Sequence, residues 1–84
     1  MIRMKAYVLV NTELGMESEI TNTLADVNEI TNIHGLYGLY DLIIEIEADN
    51  MDRIKEVALN KVRLLDNVKS TITLLTYGES FINE

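Results

Sequence analysis

Asp41 is the residue of this sequence best placed for chemistry on a ligand. It follows Gly38, Leu39 and Tyr40 and stands directly before the apolar run of residues 42–46 (Leu-Ile-Ile-Glu-Ile). Because glycine permits a tight reversal with positive φ, Gly38 predicts a turn between two strands. A carboxylate at the start of an apolar strand is expected to have a specific partner, since burying an unpaired charge is costly. That partner is either a backbone group of the turn or a ligand.

The composition limits the classes of protein to consider. A chain of 84 residues holds one domain, residues 1–84. The net charge is −7 and the few cations are scattered, so direct binding of nucleic acid is not expected. Without cysteine there is neither a disulfide nor a thiolate metal site, which indicates a reducing compartment such as the cytoplasm. No apolar run is long enough to span a bilayer and no signal peptide is visible, so no membrane partner is expected.

Other ionisable residues give weaker indications of chemistry. His34 is the single histidine, and no second ligand stands at a convincing spacing, so we expect a surface or interface histidine and no metal. Glu45 and Glu47 share a face of their strand, but a solvated or subunit-pairing role is predicted rather than acid–base catalysis. No nucleophile–base pair is visible, so we predict no catalytic residue and no cofactor.

The apolar spacing predicts the element order β-α-β-β-α-β. Strands are predicted at residues 5–11, 30–37, 40–48 and 68–77, helices from Met16 to about Asn28 and from Met51 to about Leu65, and a loose tail at 78–84. Asp49 or Asn50 offers an N-cap for the second helix. This order indicates the ferredoxin-like α+β fold, in which right-handed crossovers place both helices on one face of a four-stranded antiparallel sheet.

Strand alternation then assigns side chains to the two faces of the sheet. The face under the helices is predicted to hold Ala6, Val8, Val10, Leu42, Ile44, Ile46, Ile72 and Leu74. The open face is predicted to hold Tyr7, Leu9, Asp41, Ile43, Glu45, Thr71, Thr73, Leu75 and Tyr77. Because so apolar a face typically marks an interface, we expect a homodimer packed sheet to sheet, with Asp41, Thr71 and Thr73 within or beside the contact.

Three short motifs in this order and spacing resemble one known family. They are Ala6-Tyr7-Val8-Leu9-Val10, Gly38-Leu39-Tyr40-Asp41-Leu42 and Ser70-Thr71-Ile72-Thr73-Leu74. On a β-α-β-β-α-β frame they resemble the effector-sensing (RAM) domain of the Lrp/AsnC transcriptional regulators, over nearly the whole chain. Typical members carry a helix-turn-helix before this domain. Here the first strand is predicted within a few residues of Met1, so we expect a stand-alone sensing domain.

The resemblance implies a non-enzymatic module that senses amino acids. It implies a homodimer and a larger assembly, an octamer or another ring of dimers, and possible co-assembly with full-length regulators of the family. The residues that it implies for ligand binding are Gly38, Tyr40, Asp41, Thr71 and Thr73. Asp41 would face the ammonium group, while the threonine hydroxyls and the backbone near Gly38 would meet the carboxylate.

Each assignment has a structural alternative. Asp41 can cap the hairpin turn or accept backbone hydrogen bonds, and Tyr40 can pack in the core or the turn. Thr71 and Thr73 are favoured in any strand by β-propensity. For the whole protein, the alternatives are a small enzyme of the dimeric α+β barrel kind, which shares this topology, and a ligand-free interaction scaffold.

Overall fold

The computed structural model describes residues 3–77, which contain four strands and two helices. The strands are β1 (Met4–Thr12), β2 (Ile30–Gly35), β3 (Leu42–Ala48) and β4 (Val68–Leu75). The helices are α1 (Glu17–Leu24) and α2, which starts as an α-helix (Met51–Glu56) and continues as a π-helix (Val57–Arg63). The predicted order is confirmed, whereas the predicted tail at 78–84 lies outside the described residues. No described helix has the length and apolar character needed to cross a membrane.

The strands form one antiparallel sheet in the order β2-β3-β1-β4. The two central strands alternate between buried and half-buried residues, from Lys5 onward in β1 and throughout β3, so one face of each is covered. The buried face packs with both helices in a single core: Ala6, Val8, Val10, Ile20, Leu24, Leu42, Ile44, Ile46, Ala48, Ile54, Val57, Ala58 and Val62. Each fully buried aliphatic side chain contributes about 1.5–3 kcal/mol before the loss of entropy is counted. The predicted fold class and the predicted faces of β1 and β3 are confirmed.

The predicted face of Thr71 and Thr73 is wrong. Thr71 lies opposite Val10 and Thr73 lies opposite Val8 in the β1–β4 ladder. Residues directly opposite each other in an antiparallel pair point to the same face. Both threonines therefore lie on the helix side of the sheet, away from the open face.

The apolar residues of β4 are exchanged in the same way. Ile72 lies opposite Leu9 and Leu74 opposite Tyr7, which places both on the open face, while Leu75 joins the helix side. A shift of one residue moves every side chain of a strand to the other face. The sequence could not fix this choice, because β4 is an edge strand and apolar residues occur at both alternations. Ile72, Leu74 and Leu75 are all between 43% and 48% exposed.

The connection between β2 and β3 is longer than predicted. β2 ends at Gly35 and β3 begins at Leu42, so residues 36–41 form a loop in place of a tight reversal. The backbone N–H of Leu36 donates to the carbonyl of Asp41 at 2.9 Å and closes the base of this loop. Gly38 has φ of +146°, a conformation that favours glycine, so the predicted positive φ is confirmed.

The second helix begins as predicted and then changes form. The side chain of Asn50 accepts a hydrogen bond from the backbone N–H of Arg53 at 2.8 Å, which confirms this N-cap. The π-helical half, Val57–Arg63, was not predicted. π-Helical segments are rare in proteins, and those that occur are often found at functional sites. The surface beside this half of α2 is therefore a candidate functional surface.

Candidate functional site

Asp41 is fixed to β1 by two hydrogen bonds. Its backbone N–H donates to the carbonyl of Val10 at 2.9 Å, and its Oδ2 accepts from the backbone N–H of Thr12 at 2.8 Å. The predicted alternative, a carboxylate that accepts a backbone hydrogen bond, is therefore confirmed. The other oxygen, Oδ1, accepts no hydrogen bond from the residues that the structure describes. One half of the carboxylate holds the fold and the other half is available to a ligand.

A surface pocket of about 300 Å³ lies beside this carboxylate, between the start of α1 and the 36–41 loop. Its lining residues are Glu17, Gly35, Leu36, Tyr37, Asp41 and Leu42. Glu17 Oε1 and Asp41 Oδ2 each lie 3.4 Å from the hydroxyl oxygen of Thr12. Because this hydroxyl has one hydrogen, it can donate to only one of the two carboxylates at a time. Two acids beside apolar walls can pair with a cationic group such as an ammonium.

Glu17 is a site residue that the sequence did not reveal. Glu17 reads in sequence as part of a solvated, acidic helix start, and nothing in the linear pattern links it to Asp41. The β-α-β topology contains the missing signal. β1 ends at the same end of the sheet at which β3 starts, and α1 begins there too. The first turn of α1 therefore meets the residue that precedes β3.

The loop that carries the site projects into solvent. Tyr37 is fully exposed at 109% and Leu39 is 90% exposed. Gly38 and Tyr40, both predicted ligand residues, belong to this loop but do not line the pocket beside Asp41. Water-exposed aromatic and aliphatic side chains next to a polar pocket are typical of a surface that a second chain covers.

Thr71 and Thr73 line a different groove, of about 500 Å³, between β4 and the π-helical half of α2. Within one chain, Asp41 and these threonines therefore do not share a pocket. β1 lies between them, with Val10 bonded to Asp41 on one side and paired with Thr71 on the other. A single ligand can contact both only if the two halves of its site come from two chains.

The open face carries a polar cluster centred on Glu45. Its Oε1 accepts from the hydroxyl of Thr31 at 2.6 Å and from the side-chain amide of Asn32 at 3.1 Å. Its Oε2 accepts from the hydroxyl of Tyr7 at 3.1 Å and lies 3.6 Å from Lys5 Nζ. With its side chain 16% exposed, Glu45 is a structural acceptor that joins three strands, so the solvated role is not observed.

The pKa of Glu45 lies below its ordinary value. The hydrogen bond from Thr31 is the main cause; those from Asn32 and Tyr7 and the charge of Lys5 act in the same direction, against the effect of burial. A lowered folded pKa stabilises the fold above the unfolded value, about 4.3, and this contribution disappears as pH falls through the folded pKa.

Glu45→Gln is therefore expected to destabilise the protein at neutral pH, and the difference from wild type is expected to shrink in acid. Urea unfolding of both proteins at a series of pH values from about 7 to about 3 measures this difference. A difference that is constant over that range contradicts the assignment.

Beside this cluster lies an apolar surface, here called the open-face patch: Tyr7, Leu9, Ile43, Ile72 and Leu74. Tyr7, Leu9 and Ile43 were predicted there, while Ile72 and Leu74 take the place of the predicted Leu75. The predicted Tyr77 lies beyond the end of β4. His34 pairs with Ile43 and borders the patch. Among residues 3–77, no cluster of three or more His, Asp or Glu side chains could hold a metal ion.

Comparison with known proteins identifies the family. A family model described as the Lrp/AsnC ligand binding domain matches residues 5–81. The chain therefore belongs to the Lrp/AsnC ligand-binding domain family. FL11 of Pyrococcus horikoshii, an HTH-type transcriptional regulator, is 28% identical over 72 residues, which are 86% of this chain and 47% of FL11. The chain spans about half the length of the curated relatives it matches, which are transcriptional regulators.

Solved structures show the same fold. The crystal structure of FFRP-DM1 matches with a TM-score of 0.84 and 27% identity, over 88% of this chain and 99% of that one. The complex of the transcriptional regulator NMB0573 of Neisseria meningitidis with L-Met matches with a TM-score of 0.81 and 13% identity, over 90% of this chain and 51% of that one. At that identity the second match establishes the shared fold alone.

Proposed function

We propose that this domain senses an amino acid, and that the ammonium group of the ligand pairs with Asp41. The observation that carries the proposal is the free Oδ1 of Asp41 in a pocket with a second carboxylate, on a domain of a ligand-binding family. An ammonium in a partly dry pocket needs an anionic partner, because an unpaired charge is costly there. The backbone bond from Thr12 orients Asp41 before the ligand arrives, which lowers the cost of binding.

The rest of the ligand would lie against residues of more than one chain. Leu36 and Tyr37 supply apolar walls on one side of the pocket. Tyr37 and Leu39 at the loop tip are exposed enough to contact a ligand or a neighbouring subunit. The hydroxyls of Thr71 and Thr73 join the same ligand only from a neighbouring chain, since within one chain they lie in another groove. This arrangement supports the proposal of a site formed between subunits.

The same proposal includes the assembly of the domain. Two copies would pack through the open-face patch, and the dimers would assemble further into an octamer or another ring. The hydrogen bonds that Glu45 accepts within its own chain support this packing. They allow its carboxylate to be buried in the interface without a partner from the second copy. We further propose that this non-enzymatic domain works in the cytoplasm and co-assembles with longer regulators of its family through shared interfaces.

Sensing follows from a difference in affinity between assemblies. A ligand held between two chains binds the state in which those chains meet and not the state in which they are apart. It therefore shifts the population toward the assembled state by no more than this difference in affinity.

A thermal-shift screen against the standard amino acids tests the proposed function. A ligand present at about a hundred times its dissociation constant adds ~2.7 kcal/mol, roughly 10–20 °C in Tm for a domain of this size. The matched control is the α-hydroxy acid of the most stabilising amino acid, which has no ammonium group. We expect the amino acid to stabilise the protein and the hydroxy acid to have little effect. A flat response to all amino acids, or an equal response to the hydroxy acid, contradicts the proposal.

A further inference from the structure

Four of the seven cationic side chains in this acidic protein have no ionic partner among the described residues: Lys55, Lys61, Arg63 and Lys69. Arg3, Lys5 and Arg53 form ion pairs with carboxylates. Arg63 and Lys69 form none with residues 3–77, although the chain has a net charge of −7. Both line the groove between β4 and the π-helical half of α2.

The lining of this groove differs from that of the other pockets. Its residues are Leu59, Arg63, Val68, Lys69, Ser70, Thr71 and Thr73, none of which is acidic. Three other pockets formed by described residues each carry at least two carboxylates. Anions are repelled at long range by the net charge of the chain, whereas a concave surface with two cations and no acid attracts an anion locally.

Each wall of the groove supplies a defined set of groups. On the helix wall, Leu59 and Arg63 belong to the π-helical segment. On the sheet wall, Thr71 and Thr73 alternate along β4 and present their hydroxyls on one face. β4 is also an edge strand of the sheet, so the groove is open to solvent and to ligand on its outer side.

We propose that this groove binds a small organic anion through its carboxylate. The guanidinium of Arg63 offers a planar pair of N–H donors that matches a carboxylate, Lys69 adds a second positive charge, and Thr71 and Thr73 donate hydroxyl hydrogens. Leu59 and Val68 give the groove an apolar part. This apolar part fits a carbon chain attached to the carboxylate better than a fully polar inorganic anion. The inference shares Thr71 and Thr73 with the proposed function but uses none of the residues around Asp41. A variant of Arg63 and Lys69 therefore tests it separately from the ammonium pairing proposed there.

NMR titration of the isotopically labelled chain at constant ionic strength tests this inference, with butyrate as the probe. We expect saturable shifts of the backbone amides of Lys69, Thr71 and Thr73. Arg63→Gln combined with Lys69→Gln is expected to weaken butyrate binding at least tenfold while the spectrum stays that of a folded protein. The matched control combines Lys55→Gln with Lys61→Gln, which removes the same charge from exposed positions of α2 outside the groove, and is expected to change the affinity less than twofold.

Three results overturn the inference. The first is a linear, non-saturating response to butyrate, and the second is an equal loss of affinity in the control variant, which indicates a general charge effect. The third comes from a parallel titration with inorganic phosphate. Saturation of the groove by phosphate but not by butyrate shows that its ligand is of another chemical class.

Discussion

Leu74→Glu is expected to convert the proposed dimer into monomers, whereas Leu75→Glu is expected to leave it dimeric. The two leucines are neighbours in β4 and are exposed almost equally, at 47% and 48%. They point to opposite faces: Leu74 lies in the open-face patch opposite Tyr7, and Leu75 lies on the helix side opposite Ala6. The same substitution at adjacent positions therefore separates the effect of the interface from that of added charge.

The expected loss of dimer affinity in the Leu74→Glu variant follows from the desolvation of the new carboxylate. Burying an unpaired charge costs several kcal/mol, and a symmetric dimer meets this cost twice. A total of at least about 4 kcal/mol raises the dimer dissociation constant roughly a thousandfold. Sedimentation equilibrium of both variants and the wild type measures it. Dissociation of the Leu75→Glu variant together with an intact Leu74→Glu dimer shows that the chain pairs through another surface.

Asp41→Asn is expected to weaken amino-acid binding by at least about thirtyfold without unfolding the protein. Removing one partner of a desolvated charge pair costs about 2–5 kcal/mol, and 2 kcal/mol corresponds to roughly thirtyfold in affinity. Asparagine retains an Oδ acceptor for the backbone N–H of Thr12, which Asp41 Oδ2 meets at 2.8 Å. Alanine leaves that N–H without its acceptor, at a cost of about 1–3 kcal/mol, so asparagine is the cleaner substitution.

Calorimetric titration with the most stabilising amino acid from the thermal screen measures this loss. Asp26→Asn is the matched control, because Asp26 is exposed, lines none of the described pockets and carries the same charge. Its affinity is expected to equal that of the wild type. An Asp41→Asn variant that binds as tightly as the control excludes the pairing of Asp41 with the ammonium.

The sequence predicts the central strands of this fold better than its edges. In β1 and β3 the charged and amide side chains fall on one alternation, Lys5 and Asn11 in β1 and Glu45 and Glu47 in β3, so the other alternation is recognisable as the buried face. β4 is half-exposed on both faces, and its leucines occupy both alternations. Only its pairing with β1, which includes an irregularity at Thr12, decides which side chains reach the open face. Such pairing between distant segments leaves no trace in local periodicity.

The candidate site is predictable to the same limited extent. Asp41 and the positive φ of Gly38 follow from local chemistry, since a carboxylate at a strand start and a glycine in a turn are local signals. Glu17 depends on how α1 returns to the sheet, and Arg63 on how α2 packs beside β4. Whether Asp41 shares a site with Thr71 and Thr73 depends on sheet order and register together. Short sequence motifs contain neither, so the motifs alone led to the prediction of one site.

The central claim is that an amino acid binds with its ammonium on the free oxygen of Asp41. A crystal structure of the wild-type chain grown with the most stabilising amino acid tests it most directly. We predict the ligand nitrogen within hydrogen-bond distance of Asp41 Oδ1, with the bond from the Thr12 N–H to Oδ2 retained. An amino acid bound elsewhere, with no cationic group at Asp41, contradicts the account.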